Sequence, residues 1–109
     1  MENKVIGDFG EKIAKEYLLA SGYEILEQNF TCRLGEIDII AQKGDQLVFG
    51  EVKTRTSDVY GLPREAVGKN KISHIKKTAA LYLLSNNINN KEIRYDVFEV
   101  YCNQIEGAF

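Results

Sequence analysis

The sequence predicts one α/β domain, a central sheet with helices on both faces. Three observations carry this expectation. Two segments space their apolar residues by three and four, as amphipathic helices do. Four shorter segments alternate or run apolar, as strands do. The two middle strands are apolar on both faces, which a sheet with one solvated face would not be. With 109 residues, 44% hydrophobic and 28% charged, residues 1–109 hold material for one core and not for two.

Taken in order, Val5 to Ala20 carries Ile6, Phe9, Ile13 and Tyr17 along one helical stripe, and Ser21-Gly22 supplies its stop. Tyr23 to Phe30 nearly alternates and reads as a first, edge strand. A β-hairpin follows, with strands Gly35 to Ala41 and Gln46 to Thr54 around the turn-rich Gln42 to Asp45. Ile37 and Ile39 are placed on one side of it, and Ile40, Leu47 and Phe49 on the other. Arg55 to Gly68 holds two glycines and the only proline, Pro63, and reads as a long connection. Lys69 to Ser85 gives a second helix through Ile72, Ile75, Ala79, Tyr82 and Leu83, ended by Asn86-Asn87. Ile93 to Tyr101 alternates again as the last strand. No repeat or low-complexity tract interrupts this order.

Composition narrows the function. No apolar run reaches the roughly 20 residues of a membrane span, and MENKVIGDFGEK has neither the basic start nor the apolar stretch of a secretory signal. The expected location is the cytoplasm, with no membrane partner. Cys32 and Cys102 lie far apart without metal-ligand spacing and are expected to be reduced. The one histidine, His74, sits among lysines, which leaves little material for a Ser-His or Cys-His triad. Net charge is -2, yet Lys53 to Lys77 carries seven basic residues against Asp58 and Glu65, so this stretch is +5 and the remainder -7. Such asymmetry suits a phosphate backbone held along one edge, although a solvated lysine-rich helix face would look the same.

The chemistry concentrates in the hairpin, which reads Glu36-x-Asp38 on one strand and Glu51-x-Lys53 on the next. Residues two apart on a strand share a face. Taking Lys43 to Gln46 as a four-residue loop pairs Gln42 with Leu47, so that Asp38 faces Glu51 and Glu36 faces Lys53, all on one side. A two-residue loop would shift the pairing by two and keep that face, and a three-residue loop would separate Asp38 from Glu51. Two carboxylates so close on an apolar face repel each other unless a cation lies between them. Few, oxygen-only ligands suit Mg²⁺ or Mn²⁺, with the Val52 carbonyl as a further oxygen. The plainer alternative is a hairpin end whose charges pair across the strands, Glu36 with Lys53, for less than about 1 kcal/mol.

The string GEIDIIAQKGDQLVFGEVKTR resembles the core hairpin of the PD-(D/E)XK, or restriction endonuclease-like, nucleases. Together with GEKIAKEYL, GYEIL, the G-x-P-x-E-A-V connection and R-Y-D-V, nearly the whole chain is similar to the bacterial YraN-like family. That resemblance implies a central mixed sheet with helices on both faces. It also implies that Asp38 and Glu51 ligate the metal and that Lys53 positions or deprotonates the attacking water. Glu11 matches the helical acid that archaeal Holliday-junction resolvases of this superfamily aim at the same metal, and a solvated helix position is its plain alternative. Glu36 and Thr54 are weaker candidates. Gly50 stands where the family usually has a bulky residue, which is expected to loosen packing there.

The resulting functional expectation is a Mg²⁺- or Mn²⁺-dependent endonuclease acting on DNA phosphodiester bonds, branched or structured DNA by analogy with the resolvases. Arg55, Lys69, Lys71 and Lys76 are the candidates for flanking phosphates, with Lys71 close enough to the apolar stripe to snorkel instead. A homodimer is expected by the same analogy. The alternative from another class is a catalytically silent nucleic-acid-binding or protein-interaction module that keeps the scaffold.

Overall fold

A computed structural model describes residues 3–55 and 68–109. Helix α1 (Asn3–Ala20) is followed by β1 (Glu24–Cys32), β2 (Gly35–Lys43), β3 (Gln46–Arg55), α2 (Lys69–Ser85) and β4 (Glu92–Tyr101). The sheet order is β1-β2-β3-β4. The first two pairings are antiparallel and β3 pairs with β4 in parallel, so the sheet is mixed. The parallel step needs a crossover, and α2 lies within it. The connection between Arg55 and Gly68, with the whole G-x-P-x-E-A-V motif, falls outside the described residues.

The hairpin strands occupy the centre, as their two apolar faces require. On one face Ile37, Ile40, Leu47 and Phe49 pack against Ala79 and Tyr82 of α2. On the other, Ile39 and Ala41 pack against Leu18 of α1. Phe49, Leu47, Val48 and Ile40 are all 1% exposed or less, so β3 and β2 form the inner core. Among the described residues no helix is long and apolar enough to cross a membrane.

Three expectations are corrected. The turn is the two-residue Gly44-Asp45, with Gly44 at φ +59 as a type II′ hairpin asks of its first position. Pairing continues to Lys43 and Gln46, so the shorter turn does not shift the register, and Gln42 still pairs with Leu47. Secondly, α1 buries Gly10, Ala14 and Leu18, while Phe9, Ile13 and Tyr17 stay exposed. Both stripes have helical period, and the smaller residues let the helix axis approach the sheet. A Cβ on Gly10 would collide with the Thr54 side chain. Thirdly, Gly50 does not loosen the packing. Its missing side chain is replaced by Phe98 and Ile39, whose atoms lie 2.5 and 2.8 Å from where a Cβ would stand.

That last contact generates a test. Gly50→Ala is expected to lower stability in urea by about 1–3 kcal/mol through overpacking. Adding Phe98→Leu to Gly50→Ala should recover part of that loss, because contacting residues couple. Strictly additive losses would show that Phe98 does not fill the Gly50 space.

Candidate metal and phosphate site

The β2–β3 ladder runs as far as Ile39–Gly50 and stops. One step further along the same register Asp38 meets Glu51. There the Val52 N–H, which a continuing ladder would give to a β2 carbonyl, donates instead to Asp38 Oδ2 at 2.8 Å. A strand residue directs its N–H and C=O to the same edge, so the Val52 carbonyl also points toward Asp38, with no ladder partner from β2. The Asp38 side chain thus takes over where the backbone pairing ends.

The side-chain alternation also breaks here. Ile37 joins the α2-side cluster and Ile39 the α1-side cluster, although a regular pleat would put both on one face. On β1, Asn29 lies between the pairs Gln28–Ile39 and Phe30–Ile37 and adopts φ +52, so both strands are irregular at the level of Asp38. The expected common face for Ile37 and Ile39 is therefore corrected. Glu36 is exposed and Asp38 half-buried.

Four acids nevertheless feel one another. The Asp38 carboxyl is pushed up to about 6 by burial, against the Val52 N–H bond that pulls it down, with Glu51, Glu11 and Glu36 adding repulsion. Burial also raises Glu11, against a hydrogen bond from Asn29, with Glu36 and Glu51 among its repelling neighbours. Glu11 sits beside the buried Gly10 and Ala14 of α1 and is half-buried, not fully solvated. Glu51 is only 6% exposed. Its Oε1 is 2.7 Å from Lys71 Nζ and 3.5 Å from Lys53 Nζ.

The structure thus brings Asp38, Glu51, Lys53, the Val52 backbone and Glu11 to one end of the sheet. Lys71 lies there too, its ammonium on Glu51 Oε1 and its side chain nearly half exposed. Lys69 is exposed on α2, and Lys76 lies 5.7 Å over the Tyr95 ring. Arg55 ends β3 beside Tyr101, and its Nε is buried without a hydrogen-bond partner among the described residues. Thr54 packs under Gly10 on the α1 side and is accounted for by that contact.

A hard divalent cation asks for oxygen ligands with room left for water. Among the described residues no group of three or more His, Cys, Asp or Glu side chains is placed to hold a metal ion. What is present is two carboxylates and a laterally directed carbonyl, an open oxygen set that leaves positions for water and substrate, as Mg²⁺ sites do. Burial first, and then the neighbouring acids, raise the Asp38 carboxyl, and a cation would offset both.

A carboxyl whose folded-state pKa exceeds its unfolded one binds its proton more tightly when folded, so its ionisation penalises the fold above about pH 6 and not below about pH 4. Asp38→Asn keeps an acceptor for the Val52 N–H and removes the charge. In chelator at pH 8 it is expected to stabilise by about 1 kcal/mol, the full shift being discounted for partial solvation. At pH 4 the two proteins should melt alike. Destabilisation at pH 8 would show instead that ionised Asp38 is held by a favourable pair.

Comparison with known proteins completes the description of the site. Residues 10–100 match the family described as Uncharacterised protein family UPF0102. A UPF0102 protein of Caldanaerobacter subterraneus is 50% identical over 103 residues, covering 94% of this chain and 84% of the relative. One from Clostridioides difficile is 47% identical over 114 positions and covers the whole of both chains. Another, from Clostridium acetobutylicum, is 52% identical over 107 residues, covering 98% of this chain and 88% of its own. The matched span takes in every site residue from Glu11 to Lys76 together with the strand that pairs beside Glu51, so the chain belongs to the UPF0102 family.

Proposed function

We propose that this protein is a metal-dependent endonuclease acting on DNA phosphodiester bonds. The observation that carries the reading is the near-complete burial of Glu51 next to Asp38 at the point where β2 and β3 part, with Lys53 on the same strand. An acid so buried is costly to a fold that does not use it. Asp38, Glu51 and the Val52 carbonyl would hold Mg²⁺ or Mn²⁺, which when bound supplies charge stabilisation to the phosphoryl group and acidifies a water. Glu11, whose charge is felt at Asp38, would add a further acidic contact, directly or through water.

The rest of the work falls to the chain itself. Lys53, 20% exposed and beside Glu51, would hold a phosphate oxygen or orient the attacking water. A groove of about 320 Å³ between α2 and the β3–β4 edge is lined by Phe49, Glu51, Ile72, Ile75, Lys76 and Tyr95, which gives Glu51 an open side. Lys69 and Lys76 on α2 would meet neighbouring phosphates. DNA, including branched DNA, is the substrate class proposed.

One observation favours a second reading. Lys71 and Lys53 already neutralise Glu51, so the same residues could serve a catalytically silent nucleic-acid-binding module. Cleavage separates the two. Mg²⁺- or Mn²⁺-dependent cutting of linear duplex, single-stranded or four-way-junction DNA is expected, falling about 100-fold or more in Glu51→Gln and in Lys53→Ala. DNA binding without cleavage of any substrate would leave the silent module. Replacing Lys69 and Lys76 by Ala should weaken DNA binding, make its salt dependence shallower and spare the melting temperature. Unchanged binding would return that edge to a solvated helix face.

A further inference from the structure

We infer that Lys71 is the resident counter-ion of the carboxylate site, seated on Glu51 until a divalent cation displaces it and then free to take a substrate phosphate. This rests on the metal-site reading above. Glu51 is 6% exposed, and a carboxylate taken that far from water needs a positive partner in whatever state the protein is found. Of the two ammonium groups beside it, Lys71 is the nearer, at 2.7 Å against 3.5 Å for Lys53. It is also the one able to leave. The Lys71 side chain is 46% exposed and comes from a separate helix, whereas Lys53 is 20% exposed and fixed two residues along the same strand.

Nothing in α2 itself calls for a cation at this place. Lys71 lies in the first turn of a helix that has no side-chain N-cap and no acid in that turn, so its charge opposes the helix dipole. Its counterweight is the distant Glu51. A divalent cation on the Glu51 carboxylate repels the ammonium beside it and competes with it for Oε1, so loading the cation weakens the hold of Glu51 on Lys71. Loading the cation therefore releases Lys71 at the rim of the site, beside the position a phosphodiester would take. The two roles open to this lysine, carboxylate partner and phosphate ligand, then follow one another.

The test is Mn²⁺ binding by calorimetry on the full chain without nucleic acid, comparing wild type with Lys71→Met, Lys71→Arg and Lys77→Met. Lys77 is an exposed lysine on the same helix, so its removal controls for long-range charge. Lys71→Met is expected to bind Mn²⁺ about tenfold tighter, with Lys77→Met within about threefold of wild type and Lys71→Arg no tighter than wild type. Saturable binding by the wild type with no gain in Lys71→Met would overturn the counter-ion role and leave the metal site standing. No binding by any of the four would remove both.

Should Lys71→Met fail to fold, the wild type still decides the matter. The Lys71 ammonium resonance, assigned by its loss in Lys71→Arg, should move toward that of a solvated lysine on titration with Mg²⁺, and an unmoved resonance would overturn displacement. For the phosphate step, Ca²⁺ should raise affinity for a DNA duplex several-fold more in wild type than in a folded Lys71→Met, and equal gains would overturn that step.

Discussion

The site depends on one hydrogen bond, from the Val52 N–H to Asp38 Oδ2. It stands where the next rung of the β2–β3 ladder would be and lets the two strands part without leaving a buried donor unpaired. A backbone carbonyl in that place would have continued a flat, closed sheet. With a side chain there instead, the strands open at the level of Glu51, the Val52 carbonyl is left pointing into the opening, and an acid is held by the backbone at its edge. The register that makes this possible is set at the other end of the hairpin, by Gly44 at φ +59 and the Lys43–Gln46 pair. Turn chemistry six residues away thus decides which carboxylates meet.

The electrostatic cost of the opening is carried unevenly. Asp38 keeps partial contact with water and responds by holding its proton more tightly. Glu51, almost without water, is matched by two lysines from different elements. Such an arrangement is a poor way to gain stability, because a buried ion pair at best roughly repays its desolvation. The close contacts on the α1 side, Thr54 under Gly10 and Phe98 over Gly50, hold β3 in place from one face, and the groove beside Glu51 lies on the α2 side.

Much of the fold was legible because the signals are local. Period-two alternation, two-sided apolarity and a Gly-Asp turn locate the hairpin, its central position and its pairing. The α1 stripe was not. Gly10, Ala14 and Leu18 share the same four-residue spacing as Phe9, Ile13 and Tyr17, and periodicity favours the larger set, whereas close approach of helix and sheet selects the smaller. The acids of the candidate site were readable as residues, but the interrupted pleat at Asp38 was hidden, since only the left-handed Asn29 on the neighbouring strand hints at it. Lys71 was read as a phosphate ligand because nothing in the sequence links it to an acid 20 positions away. Arg94 of the R-Y-D-V motif likewise reaches partners that the sequence does not link to it, joining Asp96 on β4 to Gln46 on β3 and to Tyr23 just before β1.

The central claim is that Asp38, Glu51 and the Val52 carbonyl form a single cation site at the parting of β2 and β3. Its most direct measurement is anomalous diffraction from crystals soaked in Mn²⁺. The account predicts one strong anomalous peak at oxygen-ligand distance from both carboxylates and the Val52 carbonyl, with Lys71 Nζ moved off Glu51. Crystals with no peak there, and with the Lys71–Glu51 pair intact at millimolar Mn²⁺, would contradict it.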